Sequence, residues 1–314
     1  MGITAISEEN IGTAAKAGRP PGQIVWVQFA VIAGLAGVLY AWTLVDLSKA
    51  WWTNPSFSQG MLIPPLAAYL AWLSRGRTLA QPAVSDSWGL SLALFSCLLF
   101  LVGKLGAEFF LQRISFVLLL AALTWTFWGR ARLRTLAFPF LLLATMVPLP
   151  ALIYNAATAP LQLLASQLST QIAQACGVSM YQDGNIMHLA TTSLGVEEAC
   201  SGLNSLSALM VGSLLLGHVY SCRPAARVIL FALSLPIAIA FNILRVAGTA
   251  ILADSHEELA LGFYHSFSGW LVFVAGFGAL YLAARLVRCL FGQANTPTNS
   301  GMAGQETCST TKTS

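Results

Sequence analysis

Eight stretches of mostly apolar residues recur along this chain, at about 24–46, 59–74, 88–106, 113–129, 136–155, 201–220, 226–252 and 268–290. A helix needs about twenty such residues to cross the hydrocarbon core of a bilayer. The runs are continuously apolar and do not alternate, so helices are expected and strands are not. A water-soluble fold would also need a charged shell, yet only 9% of the 314 residues are charged while 56% are hydrophobic. The expectation is an all-α polytopic membrane protein of about eight transmembrane helices spanning residues 22–292, with a polar tail at 1–21 and a Thr/Ser/Asn/Gly-rich, disordered tail at 293–314. Pro64-Pro65 weaken the short second segment, and Pro139, Pro148 and Pro150 should kink or split the fifth near its outer end.

Basic residues orient such a bundle, because Lys and Arg accumulate on cytoplasmic connections. With the N-terminus inside, the inner segments hold Lys16, Arg19, Arg75, Arg77, Arg130, Arg132, Arg134, Arg223, Arg227, Arg285, Arg288 and Lys312. The outer connections hold only Lys49, Lys104 and Arg113, which leaves Arg245 as the one basic residue within a span. Both termini are then cytoplasmic. Since the positive charges are dispersed between apolar runs, the net charge of +4 is a topological signal and not a nucleic-acid footprint.

The longest outer connection runs from about Asn155 to Cys200 and contains no Lys or Arg. Between Pro160 and Ala175, the residues Leu161, Leu164, Leu168 and Ile172 share one helical face, with Gln162, Ser166, Ser169 and Gln174 largely elsewhere. That pattern predicts an uncharged amphipathic helix lying in the interface. Asp183-Gly184 between two short β-favouring runs predicts a hairpin over about 178–189. Helix and hairpin together would make a lid over the outer mouth.

Three reactive or costly residues converge on that face. Cys200 lies in Val196-Glu197-Glu198-Ala199-Cys200-Ser201-Gly202, immediately before an apolar span. A helix N-terminus there would stabilise a thiolate through its unpaired N–H groups and dipole. A disulfide with Cys176 is the competing use in an oxidising exterior. Arg245 sits in Phe241-Asn242-Ile243-Leu244-Arg245, roughly 12 Å of helix rise below Asp254. Arginine in a span is expensive and marks function by default, snorkelling to headgroups being the alternative. Asn242, three residues earlier on the same face, is suited to orient the guanidinium or a substrate carbonyl. His265 precedes the last span. His256, in an acidic run, and His188, on the hairpin, compete with it, whereas His218 falls at the cytoplasmic side. Thiolate, imidazole and fixed cation are what cysteine acyl transfer needs: a nucleophile, a proton shuttle and an oxyanion partner.

The Glu198-Ala199-Cys200-Ser201-Gly202 stretch, Asn242-x-x-Arg245 in the next span and His265 before a Gly-containing final span resemble the exosortase/archaeosortase family. The resemblance covers roughly residues 30 to 290. It implies a cysteine peptidase or transpeptidase acting on membrane-anchored proteins with C-terminal Pro-Glu-Pro-type sorting signals at the outer face of a bacterial inner membrane. Cys200 is then the nucleophile, His265 the general acid/base and Arg245 the electrostatic stabiliser. Asn242, Glu198, Ser201 and Gly202 are supporting residues. An exopolysaccharide or a lipid-linked amine is a candidate acceptor. Relatives often carry a His before the glycine that opens the second span, where this chain has Gln59-Gly60.

No Cys/His spacing matches a zinc site and no glycine run matches a phosphate loop, so neither metal nor other cofactor is expected. A transporter or exopolysaccharide-export component is the rival class. It predicts intramembrane polar residues spread over several spans.

Overall fold

The computed structural model describes residues 23–190, 192–195, 203–220, 223–256 and 263–291, with 23–26, 55–56, 203–204 and 263–266 described by backbone alone. In chain order the helices are α1 (Gln23–Thr53), a 3-10 segment (Pro55–Met61), α2 (Ile63–Leu73), α3 (Arg75–Ala80), α4 (Trp88–Leu105), α5 (Phe109–Thr135), α6 (Ala137–Ala144) and α7 (Ala151–Ala175). After α7 come three strands, β1 (Met180–Asp183), β2 (Ile186–Leu189) and β3 (Ser193–Gly195). The chain then continues through α8 (Leu203–Val219), α9 (Pro224–Ser255) and α10 (Phe263–Phe291).

Among the described residues, five helices are long and apolar enough to cross a membrane: Val27–Thr53, Trp88–Leu105, Phe109–Thr135, Pro224–Ser255 and Phe267–Phe291. The other three expected spans are shorter. The second is a 3-10 turn followed by an 11-residue helix. The sixth, α8, has 17 residues. The fifth is broken where the prolines demand it: α6 stops at Ala144 after eight residues, ahead of Pro148 and Pro150. Helix resumes at Ala151 and runs on for 25 residues, absorbing the segment expected to lie separately in the interface.

That helix is the main correction to the expected architecture. The face of α7 turned into the bundle is Ala165, Ser166, Ser169, Thr170 and Ala173, while Leu163 and Leu164 are exposed. In a bilayer, small residues let helices approach closely, and large apolar ones gain little by leaving lipid. Ser169 Oγ donates to the Ile243 carbonyl at 3.0 Å, fastening α7 to α9.

The expected hairpin forms around Gly184-Asn185, with Asp183↔Ile186 as its last pair. Gly184 has φ 60°, the left-handed value that a glycine supplies at the first turn position. A third strand, β3, was not anticipated; it pairs antiparallel with β2. One face of this sheet buries Met180, Met187, Leu189 and Leu194 in a cluster with Ala165 and Ala173 of α7 and Ile243, Val246, Ala250 and Ala253 of α9. The sheet therefore caps one end of those two helices.

A second, separate core joins α1, α4 and α5. Tyr40 Oη and Ser115 Oγ lie 2.9 Å apart, Ser96 Oγ donates to the Ser115 carbonyl at 2.6 Å, and Gln112 Nε2 donates to the Gly103 carbonyl at 3.0 Å. A Cβ on Gly103 would come within 2.9 Å of the Gln112 amide nitrogen, so only glycine allows this approach.

Candidate active site

Arg245 and position 265 lie on α9 and α10, and the Cys200 segment leads into α8; each of these helices packs against the other two. Their relative heights follow from one point of closest approach. A Cβ on Gly276 of α10 would lie 3.3 Å from Leu209 of α8 and 3.7 Å from Phe241 of α9. From that level, and toward the capped end, α8 rises about 9 Å to its first residue, α9 about 6 Å to Arg245, and α10 about 10 Å to Gly269. The start of α8, the arginine and Gly269 of α10 thus lie within about 4 Å of one height, with position 265 about 6 Å further toward the capped end.

Arg245 closes the remaining gap with its side chain. A Cβ on Gly269 would stand 3.6 Å from Arg245 Nη1, so the guanidinium lies against the bare backbone of α10. Position 265 is one turn before Gly269 on the same helical face. Arg245 is half-buried, while Asn242, one turn from it on α9, and Ser268, next to Gly269 on α10, are each 2% exposed. Two further bonds hold the α9 backbone here: Ser169 to the Ile243 carbonyl, and Thr249 Oγ1 to the Arg245 carbonyl at 3.0 Å.

Cys200, Ser201, Gly202 and Glu198 lie outside the described residues, and His265 is described by its backbone only. The helix expected to follow Cys200 does begin at Leu203. Cys176 is a free, exposed thiol at the end of α7. Of the competing histidines, His256 ends α9 and is exposed, and His188 Nδ1 is 2.8 Å from Ser193 Oγ on the sheet. His218 is at the far end of α8, about 22 Å of helix rise from Leu203. Its ring stacks on Phe138 at 3.8 Å, within electrostatic reach of Arg77 and Arg227. Arg288 lies over the neighbouring Tyr220 ring at 5.3 Å, so the far end of the trio is basic.

Sequence reasoning missed Gly269 as a neighbour of the arginine. The glycine's only signal was position, four residues after His265, where a small residue on a helix face permits close approach. It also missed β3, which lies five residues before Cys200.

A mostly helical chain whose described residues include five membrane-length apolar helices, a half-buried arginine reaching between two of them and a small capping sheet is a polytopic membrane protein. The chain matches the family described as transmembrane exosortase (Exosortase_EpsH) over residues 51–282, and it belongs to that family. The match takes in positions 200, 242, 245 and 265. No curated protein and no solved structure matches the chain.

Proposed function

We propose that this exosortase is a cysteine peptidase or transpeptidase that cleaves C-terminal Pro-Glu-Pro-type sorting signals of membrane-anchored proteins at the outer face of a bacterial inner membrane. The observation that carries this reading is the Arg245 guanidinium, laid across to α10 at Gly269, one turn from position 265, with the start of α8 at the same height. The basic far end of the trio supports an orientation in which that end and both termini are cytoplasmic.

In this mechanism Cys200 loses its proton to His265 and its thiolate attacks the scissile carbonyl. The negative charge that develops on the carbonyl oxygen is met by Arg245, which stays ionised in a low-dielectric setting and offers parallel donors. Collapse of the adduct breaks the C–N bond, and His265 returns the proton to the leaving amine. A thioester remains on Cys200. Water or an acceptor amine then attacks it, giving a free carboxylate or a new amide and restoring the thiol. An exopolysaccharide or a lipid-linked amine fits the acceptor role. Asn242, whose buried Oδ1 accepts no hydrogen bond from Arg245 in the structure, is assigned the other role open to it, contact with the substrate backbone, and Ser201 and Gly202 contribute N–H groups ahead of α8, with Glu198 as a supporting residue. No step needs a metal or other cofactor.

The test is processing of a reporter bearing the signal, a transmembrane segment and a basic tail, with enzyme abundance matched by blot. Cys200→Ser abolishes processing, Cys176→Ser retains it, and Arg245→Lys loses most of it because lysine lacks the fork. Equal failure of both cysteine variants, with inactivation of the native protein by reductant, assigns a structural bridge and removes the nucleophile. Near-native processing by Arg245→Lys reduces the arginine to a headgroup anchor.

A further inference from the structure

The sheet that caps α7 and α9 ends on an edge whose hydrogen-bonding groups point away from it, and ladder parity identifies those groups. Asp183↔Ile186 closes a two-residue turn, so it is a hydrogen-bonded pair, and Tyr181↔His188 is one by alternation. Ile186 and His188 therefore direct their N–H and C=O toward β1. Met187 directs its own toward Leu194 on β3, and Leu189 N donates to the Thr192 carbonyl at 2.8 Å in the same sense. By the same alternation Ser193 and Gly195 turn their N–H and C=O outward. Among the described residues no strand pairs with that side.

Ser193 and Gly195 are both exposed, and a Cβ on Gly195 would meet nothing within 4 Å. The strand between them is nonetheless held firmly. Leu194 is buried in the cluster shared with Ile243 and Val246 of α9. On the opposite face Tyr181, His188 and Ser193 form one cross-strand row, with the Tyr181 and His188 rings stacked at 4.7 Å and the histidine bonded to Ser193. Edge strands left unpaired are usually blunted by shortness, charge, proline or a bulge. Ser193-Leu194-Gly195 is short, enough for a few backbone bonds to a passing segment and too few for a second sheet, and it has neither charge nor proline, within a connection free of Lys and Arg. Five residues later comes Cys200, so the reactive thiol is within about 18 Å of this edge along the chain.

We infer that the outer edge of β3 binds the polypeptide substrate as an added extended strand, which sets its register against Cys200 and Arg245. This rests on the peptidase reading above and names how that site takes its substrate. The occupant is the extended backbone beside the scissile bond. Main-chain donors and acceptors provide the affinity, as in other strand-addition complexes. A second copy of this chain is the other use of such an edge, but the run from β3 directly into the Cys200 segment favours the substrate.

The experiment uses the full-length protein in proteoliposomes with synthetic reporters. Gly195→Pro deletes one outward N–H without touching the β2 ladder, and it is expected to raise KM about three- to tenfold, the worth of one hydrogen bond. Gly195→Ala keeps the N–H and has room for its methyl, so its KM rises less than that of Gly195→Pro, separating loss of the donor from loss of the glycine. Independently of any variant, reporters N-methylated at single positions lose processing at alternate residues, because only every second N–H faces the edge. A native KM for Gly195→Pro, or a methylation scan with no alternating loss, overturns the inference. So does a Gly195→Pro protein whose oligomeric mass changes at constant KM, which assigns the edge to a second copy. If Cys200→Ser is inactive while the scan is flat, only the strand-addition inference falls. If Cys200→Ser still processes the reporter, the peptidase reading falls with it.

Discussion

Gly269 is the position at which the proposed site is most exposed to a steric test. The 3.6 Å between a Cβ there and Arg245 Nη1 is ordinary van der Waals contact, so Gly269→Ala fits with the guanidinium unmoved. Valine adds two methyl groups about 1.5 Å further out, inside contact distance of Nη1, and its stiff χ1 leaves little choice of direction. The guanidinium must then withdraw by roughly an ångström or more, and a displacement of that size costs about a hundredfold when an electrostatic partner is meant to be pre-positioned. If the arginine meets the oxyanion, complete loss of that contact costs about 100- to 1,000-fold, or about 3–4 kcal/mol of transition-state stabilisation. Gly269→Val is therefore expected to fall toward the level of Arg245→Lys, with Gly269→Ala near native. Gly278→Val is the control, because it is on the same helix with nothing within 4 Å of its Cβ. The assay is reporter processing at matched membrane abundance, with thermal stability measured on the purified proteins. Native processing by Gly269→Val refutes the placement of Arg245 at the reacting carbonyl. Equal loss by Gly269→Ala and Gly269→Val refutes the steric reasoning.

Three further outcomes are expected. The pH profile of processing reports ionisations that belong to the Cys200–His265 pair, so His265→Ala removes that behaviour and His256→Ala leaves it; full activity in His265→Ala would promote His256 or His188. A single cysteine introduced at Asp183, in a background without other accessible thiols, reacts with a membrane-impermeant maleimide in intact cells, whereas labelling only after the inner face is opened would reverse the orientation. Gly103→Val drives side-chain atoms into the Gln112 amide and lowers the melting temperature and membrane yield, and a variant of native stability would show that α4 and α5 need no glycine there.

The long apolar helices were legible because a run of about twenty apolar residues admits few other solutions. The hairpin was legible because Gly184 carries turn chemistry, although the turn falls at Gly184-Asn185, one residue beyond the Asp183-Gly184 pair that announced it. The course of α7 was not, because hydropathy ranks Leu164 above Ser166 and Ser169, whereas packing between helices in lipid prefers the small residues. Strand β3 has three residues, one of them glycine, and its pairing partner lies across a turn, so no periodicity announces it. Arg245 stood out as a charge in a span, but its contact at Gly269 depends on the crossing of α9 and α10, which local pattern does not encode. The network of Tyr40, Ser96, Gln112 and Ser115 was hidden in the same way, as single polar residues in apolar runs that meet only in three dimensions.

That network bears on the choice between a peptidase and a transport pathway. A pathway needs polar groups in several spans that are left to bond water or cargo. Buried polar groups do occur in several spans here, more widely than the sequence suggested. Those of α1, α4 and α5 bond one another or nearby carbonyls: Tyr40 with Ser115, Ser96 to the Ser115 carbonyl, Ser115 to the Gln112 carbonyl at 2.7 Å, and Gln112 to Gly103. Such closed sets hold helices together and offer nothing to a moving solute. Arg245 differs in both charge and setting. It sits on the other helix trio, at the end next to the sheet, against a glycine that leaves its guanidinium room. The Tyr40, Ser96, Gln112 and Ser115 set is thus bonded internally, while two arginines stand apart from it: Arg113 in the first turns of α5, its buried Nε outside any hydrogen bond and its guanidinium over the Phe109 ring, and Arg245 on the other helix trio. A cation beside the sheet, facing a bare stretch of α10, suits the proposed chemistry on a chain presented at that end of the trio.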